Sequence, residues 1–454
     1  MKREVAAKSS HLGKRASVVG AGLGGLSAAR VLSDYFDEVI ILDRDELPDD
    51  AIPRPGVPQG KSPHILLGGG QKALENLFPG LGNELMRAGA EPINFGFDIL
   101  LEVPGRDAWP RSRFSWSTYA LTRPLLERIL RRQVERIGNI KVRGGCRVLN
   151  IVSESNAHDA TGIQYQMVDG SRETLKSDLI ADASGNGSLT VEFLKSTGRR
   201  PPEETSIGVS IRYASAFFQR SRIVDDYKGL ASLPSPGEQA RGGVIVPAEN
   251  NSMHVGMSGR GKDIPPIDSN EFLNYARHLR TPTIYNAIKN AKRLTDITPW
   301  SFPESRWRHF AKVPEFPRGL LPIGDAICRF NPVYGQGMTV ACQEAEILSE
   351  LLQTFDGDSL VTLASTFLTK AETLIGHPWA MSAIPDFMYP QTVGERPPDL
   401  EDRLNFQRGL DRLAVHDVEV YELLVEIMHL LKPPTLLRDP SIVRRVEEEM
   451  AHTS

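Results

Sequence analysis

The sequence predicts an α/β fold: a parallel-sheet domain interrupted by an inserted α+β domain and followed by a helical C-terminal region. Three observations carry this expectation. A buried strand, a glycine-rich turn, a helix and a second buried strand follow one another between Ala16 and Asp43. The pattern changes near Pro201 to alternating, strand-like segments, and near Gly319 a strand, turn and long helix return. The predicted boundaries are residues 15–200 and 311–355 for the discontinuous first domain, 201–310 for the insertion and 356–454 for the helical remainder.

Taken in order, Ala16-Ser-Val-Val-Gly20 and Glu38-Val-Ile-Ile-Leu-Asp43 are apolar, β-branched runs of the kind buried on both faces of a parallel sheet. Between them, Leu23 to Tyr35 predicts a helix with Leu26, Ala29 and Leu32 on one face. Pro48 to Ser62 is a Pro/Gly/Asp-rich loop. Helices are expected at 71–88 and 123–137, and strands at 141–152, 162–167 and 179–182. In the insertion, residues 207–218 alternate as a strand, Glu249-Asn-Asn251 marks a hairpin, and 271–291 is helical. A strand from Gly319, a turn at Gly324-Asp325 and a helix from Gly337 to about Thr354 follow. Proline clusters at Pro378–Pro398 and Pro433-Pro434 are expected to interrupt the helical tail.

Composition excludes several classes. With 53 basic and 57 acidic residues, a net charge of −4, 40% hydrophobic and 24% charged residues, the chain resembles an ordinary globular protein and offers no basic surface for nucleic acid. Cys146, Cys328 and Cys342 show neither disulfide nor metal spacing, and the histidines form no metal motif. No metal is therefore expected, and the cysteine usage suits a reducing, cytoplasmic setting. No stretch reaches the roughly 20 apolar residues of a membrane span. The basic residues Lys2, Arg3, Lys8, Lys14 and Arg15 read as a frayed tail rather than a signal peptide, because Gly20, Gly22, Gly24 and Gly25 break the apolar run that follows.

That glycine run satisfies G-x-G-x-x-G between a strand and a helix. One glycine permits the tight turn, one admits a pyrophosphate to the backbone, and one lets helix and strand pack closely. Helix N–H groups and the macrodipole then favour the phosphates. Asp43 ends the second strand 18 residues after Gly25, the spacing of a ribose-binding carboxylate. A second segment, Gly324-Asp325 followed by Pro332-Val-Tyr-Gly335-Gln-Gly337-Met338, is superfluous for a simple NAD enzyme and suits FAD. An acid there fits ribityl or ribose hydroxyls, and a Gly-x-Gly helix start can stabilise the flavin edge that becomes anionic on reduction. Read blandly, the same residues are a glycine turn with Asp325 as a helix cap.

With these motifs the chain resembles the FAD-dependent monooxygenases of the aromatic-hydroxylase fold, and within them the bacterial polyether polyene epoxidases and squalene epoxidase-like enzymes. The resemblance spans nearly the whole chain and rests on Val18–Leu26, Arg54-Pro-Gly-Val-Pro-Gln-Gly60 with His64, Leu121–Leu126, Asp182-Ala-Ser-Gly185, Gly324-Asp-Ala326, Phe330–Met338, and Pro378-Trp379 with Asp386 and Pro390. It implies an FAD-binding Rossmann-like domain of the glutathione-reductase type, hydroxylase subgroup. By this similarity Asp43 binds ribose and Arg44 lies by the adenosine. Arg54 and Arg123 approach the pyrophosphate or ribityl chain, and Val148 meets the adenine through its backbone. Asp325 holds the ribityl phosphate region, and Gly335, Gln336, Gly337 and Met338 cover the isoalloxazine. Two positions depart from the pattern: Asp43 replaces the usual Glu, and Arg329 stands where a small residue is common.

The resemblance further implies a monooxygenase reduced by NADPH or NADH, directly or through a separate flavin reductase. It would transfer one atom of O2 through a flavin C4a-hydroperoxide to a hydrophobic substrate, by epoxidation or hydroxylation. The flavin carries that chemistry, so no catalytic side chain is assigned. A reductase of isoprenoid double bonds, an aromatic-ring hydroxylase and a non-catalytic binding protein are the alternatives. Flavin halogenases fit less well, since Trp300-Ser-Phe-Pro303 is a poor substitute for their Trp-x-Trp-x-Ile-Pro run. Outside the motifs, Arg54 reads equally as a surface charge, His64 more readily as a structural histidine than as a proton handler, Trp300, Phe302 and Trp307 as domain-junction packing before the lining of a substrate cavity, and Cys328 and Cys342 as small buried hydrophobes.

Overall fold

The computed structural model describes residues 11–103, 108–154, 159–354 and 360–451. Five parallel strands form the first sheet, in the order Leu320–Pro322, Leu179–Asp182, Gly13–Val19, Phe36–Leu42 and Ile140–Arg143. Their cores, such as Val18, Ile41, Ile180 and Leu321, are almost fully buried, as a sheet covered on both faces requires. Register aligns Val19 with both Leu42 and Asp182, and Asp182 with Pro322. The turns that follow these strands therefore open at one edge, the carboxyl end where parallel sheets take ligands.

A seven-stranded sheet runs Cys328–Arg329, Thr298–Arg308, Glu204–Gln219, Ser252–Arg260, Gly242–Ala248, Gly229–Ser232 and Ile99–Glu102. It thus takes strands from before and after residues 201–310. Its hairpin turns on Asn250 and Asn251, with φ of 61° and 52°, the left-handed pair that two-residue hairpin turns favour. A three-stranded antiparallel sheet, Arg147–Val152, Gly162–Gln166 and Arg172–Lys176, flanks the first. The helices Leu360–Asp386, Leu400–His416, Val418–Met428 and Pro440–Ala451 follow, the last three packing around Leu410, Tyr421 and Val425 together with Trp109 and Phe114.

Several sequence expectations are corrected. Residues 71–88 form two helices, Gly68–Leu77 and Leu81–Arg87, because Pro79-Gly80 turns the chain with Gly80 at φ 86°. Residues 141–152 divide between two sheets at Gly144-Gly145. Residues 271–291 break at Pro282 into Ser269–Arg277 and Thr283–Ile288. Conversely, Pro378 does not interrupt the Leu360–Asp386 helix, where the Ser382 hydroxyl donates to the Pro378 and Trp379 carbonyls, and Pro385 sits at its last turn. Lys14 and Arg15 belong to the first strand, with Arg15 paired to Glu38 at 2.7 Å, rather than to a tail; Lys2, Arg3 and Lys8 lie outside the described residues.

Two glycines in the first turn admit no substitute. Gly20 has φ 103°, and a Cβ there would lie 2.4 Å from the Ala183 carbonyl oxygen. A Cβ on Gly25 would lie 1.9 Å from the Gly20 carbonyl oxygen. Gly25→Ala therefore forces the helix off the strand, and overpacking of this kind costs about 1–3 kcal/mol or more. Chemical denaturation of the variant is expected to show at least that loss; unchanged stability would refute the close-packing role.

Candidate functional site

The two glycine segments meet. A Cβ on Gly24 would sit 3.4 Å from the Ala341 Cβ and 3.5 Å from Ile323, so the Leu23–Leu32 helix lies directly on the Gln336–Thr354 helix. A Cβ on Gly337 would be 3.7 Å from an Asp325 oxygen, which places the second helix start beside the Gly324-Asp325 turn. Neither helix has an acid in its first turn, and Gly22, the N-cap of the first, has no side-chain hydrogen bond and open space where a Cβ would stand. Two uncapped helix starts thus face one cleft, a ready anion site.

A single cavity of about 1740 Å³ runs from this cleft across the seven-stranded sheet. Of the predicted residues, Gly20, Gly22, Gly24, Asp43, Arg44, Arg54, Arg123, Val148, Asp325, Gly335, Gln336, Gly337 and Met338 all line it. Gly25 does not; it is the packing glycine behind the turn. Val148 stands where the register of its strand slips, next to Asn150.

The charges are distributed differently from the sequence expectation. Asp43 is buried and accepts from the Ala21 N–H at 2.7 Å and the Asp45 N–H at 2.9 Å, while Arg54 pairs with it at 3.1 Å. Arg54 is no surface charge: it is 7% exposed and also held by Asp45 at 3.2 Å and Glu127 at 3.1 Å. Burial opposes its charge, but the Glu127 and Asp43 carboxylates outweigh that and hold it above its ordinary value. Arg123 meets only Glu127, at 2.8 Å through Nε, leaving its terminal nitrogens without partners among the described residues. Arg123 is therefore the cation better placed for a phosphate. Arg44 is exposed and reaches the Gly56 carbonyl at 3.4 Å.

The second segment carries polar atoms that want a ligand. Gln336 is 1% exposed, yet neither its Oε1 nor its Nε2 has a hydrogen-bond partner. Burial pushes the Asp325 carboxyl up, against the nearby Arg123 and Arg329 charges. A group rich in hydroxyls, imides and phosphates satisfies this set, so the residues present fit FAD.

A sequence model described as an FAD binding domain matches residues 15–366. The chain belongs to this FAD-binding family. It is 30% identical over 399 residues to Protein Rv3254 of Mycobacterium tuberculosis, covering 84% of this chain and 81% of that one. Among solved structures, a flavoprotein/dehydrogenase from Cytophaga hutchinsonii superposes with a TM-score of 0.68 at 15% identity, covering 97% of this chain and 100% of that chain. The myxobacterial chondrochloren halogenase CndH gives 0.64 at 17% identity, covering 92% and 97%. The shared architecture is that of the FAD-dependent hydroxylases and halogenases, and this flavoprotein is an oxidoreductase. Among its described residues no helix is long and apolar enough to cross a membrane.

Glu344 and the partners of Asp386 escaped the sequence reading, and His64, named there, gains a defined state. Glu344, fully buried on the Gln336–Thr354 helix, accepts the Gly324 N–H at 2.5 Å, and its other oxygen has no partner. Burial raises its pKa to about 8, helped by Asp325 and opposed by the Gly324 hydrogen bond. Next, Asp386 accepts from Arg260 at 2.5 Å, from the Asn331 amide at 2.9 and 3.0 Å, and from the Tyr334 hydroxyl at 3.2 Å. Asn331 in turn caps the turn before Gly335 by accepting the Val333 N–H. The i, i+4 spacing of opposite charges on a helix could have flagged Glu127, four residues after Arg123; nothing in the sequence flags Arg260 or Glu344. Finally, His64 lines the cavity, where burial and Arg123 push its pKa down to about 3. Its Nδ1–H donates to the Ser62 carbonyl at 2.8 Å, which leaves a neutral ring with Nε2 as an acceptor.

Two outcomes follow. Asp386→Ala leaves Arg260 buried without its partner and is expected to cost about 3–5 kcal/mol, whereas the double change Arg260→Met, Asp386→Leu recovers most of it, as denaturant unfolding will measure. Because Glu344 binds its proton more tightly folded (about 8) than unfolded (4.5), its contribution to stability is full below the lower value and lost as pH rises through the higher. Glu344→Gln is expected to flatten the decline in Tm over that interval; an unaltered slope would show that Glu344 titrates normally.

Proposed function

We propose that this flavoprotein is a monooxygenase acting on a hydrophobic small molecule. One observation carries the reading: the nucleotide cleft and an apolar chamber lined by Ile211, Trp300, Phe302, Met257, Ile384 and Met388 are one continuous cavity of about 1740 Å³, larger than the ~300–1,000 Å³ of an ordinary ligand pocket. It has room for a dinucleotide and a sizeable substrate together. Trp300 and Phe302, weighed from the sequence as junction packing or cavity lining, line that chamber. Bound FAD would supply the redox chemistry that activates O2.

The chain's own residues have narrower tasks. Gly22, Gly24 and Arg123 take the phosphates, Asp43 and Asp325 the hydroxyls, and Gly335, Gln336, Gly337 and Met338 the ring system, while Val148 and Arg44 flank the adenosine. The apolar chamber excludes water and orients the substrate over the ring. His64, neutral and fixed in one tautomer, offers an acceptor rather than a proton. The epoxidase-like resemblance favours alkene epoxidation or ring hydroxylation, with NADPH or NADH as reductant, directly or through a flavin reductase. Likeness in fold to a halogenase supports halogenation as a second reading; the missing Trp-x-Trp-x-Ile-Pro run speaks against it.

The test is a purified, yellow protein supplied with reductant, bromide or chloride, and a panel of polyenes and phenols under ¹⁸O2. One labelled oxygen atom in the product is expected. A halogenated product, or a product that gains two hydrogens without consuming O2, would overturn the reading.

A further inference from the structure

Two arginines face each other beside the flavin cavity, Arg329 in its lining and Arg306 behind it. Arg306 and Arg329 are direct partners in the antiparallel pairing of Thr298–Arg308 with Cys328–Arg329, so their side chains share one face of the sheet. Like charges opposed in this way destabilise a strand pair unless something of opposite charge lies between or beside them. No carboxylate among the described residues forms an ion pair with either. Arg329, which lines the cavity, rests its guanidinium 4.5 Å from the centre of the Phe302 ring. Arg306 donates to the Asn186 Oδ1 at 2.5 Å. The nearest acids, Asp325 and Glu304, reach Arg329 only through space, while burial and Arg306 both hold Arg329 below its ordinary value.

Neighbouring groups sharpen the chemistry. The next arginine on the same strand, Arg308, is fully engaged by Glu204 at 3.0 Å and by the Gly187 and Ala326 carbonyls at 2.8 and 2.9 Å. The contrast marks Arg306 and Arg329 as unneutralised, since the fold had carboxylates and carbonyls to offer and placed them elsewhere. Asn186, with its oxygen turned to Arg306, is left with its N–H2 as a donor at the cavity wall. Two guanidiniums on neighbouring strand positions, with an amide held against one of them, make a set matched to a multiply charged oxyanion with several acceptor oxygens.

We propose that Arg306, Arg329 and Asn186 form a phosphate-binding site that holds the diphosphate of a nicotinamide dinucleotide at the wall of the flavin cavity. It rests on the oxidoreductase reading above, in which reducing equivalents must arrive from outside the chain.

The experiment uses the FAD-loaded protein and inorganic pyrophosphate as the probe, followed by calorimetry. Pyrophosphate is expected to bind, and Arg306→Met and Arg329→Met each to weaken it about ten- to a hundred-fold, the loss expected of a charge-assisted contact. Arg306→Lys should restore part of the affinity, and thermal unfolding should show both Met variants folded. NADPH or NADH should compete with pyrophosphate in the parent protein. Absence of pyrophosphate binding would overturn the site. A shift in FAD affinity with unchanged pyrophosphate binding would also overturn it, by assigning the arginines to the flavin's own phosphates. Pyrophosphate binding that neither nicotinamide nucleotide displaces would overturn the reductant assignment in favour of an anionic substrate. None of these readouts depends on turnover, so loss of oxygen transfer with intact competition would sink the monooxygenase reading alone.

Discussion

The contact between the Leu23–Leu32 and Gln336–Thr354 helices is the constraint on which the rest depends. At Gly24 the two helices come so close that a Cβ there would already touch Ala341 and Ile323. Through that contact, two segments some three hundred residues apart present their uncapped amides to one space. In the function proposed above, neither helix start alone would fix a dinucleotide; together they would hold its two halves. The parallel sheet makes this possible, because strand register brings every relevant turn to the same edge.

Charge is arranged around the cleft so that only selected cations remain uncommitted. Arg54 sits among Asp43, Asp45 and Glu127, a buried cluster with three carboxylates around one guanidinium. Clusters of this kind add little net stability, since desolvation of each ion offsets most of the attraction. Their value is geometric: Arg54 ties the Pro/Gly-rich loop to the second strand and to the Arg123–Glu135 helix. With Arg54 thus held, Arg123 and Arg329 are cavity-lining arginines beside the Gly324-Asp325 turn whose charge no carboxylate fully takes up.

A second polar knot does for the flavin loop what Arg54 does for the nucleotide end. Arg260 comes from the seven-stranded sheet, Asp386 from the end of the C-terminal Leu360–Asp386 helix, and Asn331 and Tyr334 from the loop entering Gly335. Three regions distant in sequence are thereby joined next to the loop that must stay in place. Arg260 also lies 4.1 Å from the Tyr389 ring, so an aromatic face covers what carboxylate does not. The C-terminal helices are therefore part of the cavity's construction as well as its outer wall.

The amino-acid sequence by itself determined the nucleotide-binding unit. A strand, Gly20-Ala-Gly22-Leu-Gly24-Gly25, a helix and Asp43 obey local rules, because turns, helix starts and buried strands are specified by neighbours in the chain. The same holds for the Gly324–Met338 segment and for the Asn250-Asn251 hairpin. Helix ends were misjudged where a single proline or glycine decided them, at Pro79-Gly80 and Pro282, and Pro378 was tolerated where a break was expected. Only the tertiary structure decided which charges remain free. Arg54 and Arg123 look alike in sequence, yet one is enclosed by three acids and the other by one. Glu344, Arg260 and the opposition of Arg306 to Arg329 arise from strands and helices far apart in the chain. Burial and pairing are properties of the assembled surroundings, and no local pattern encodes them.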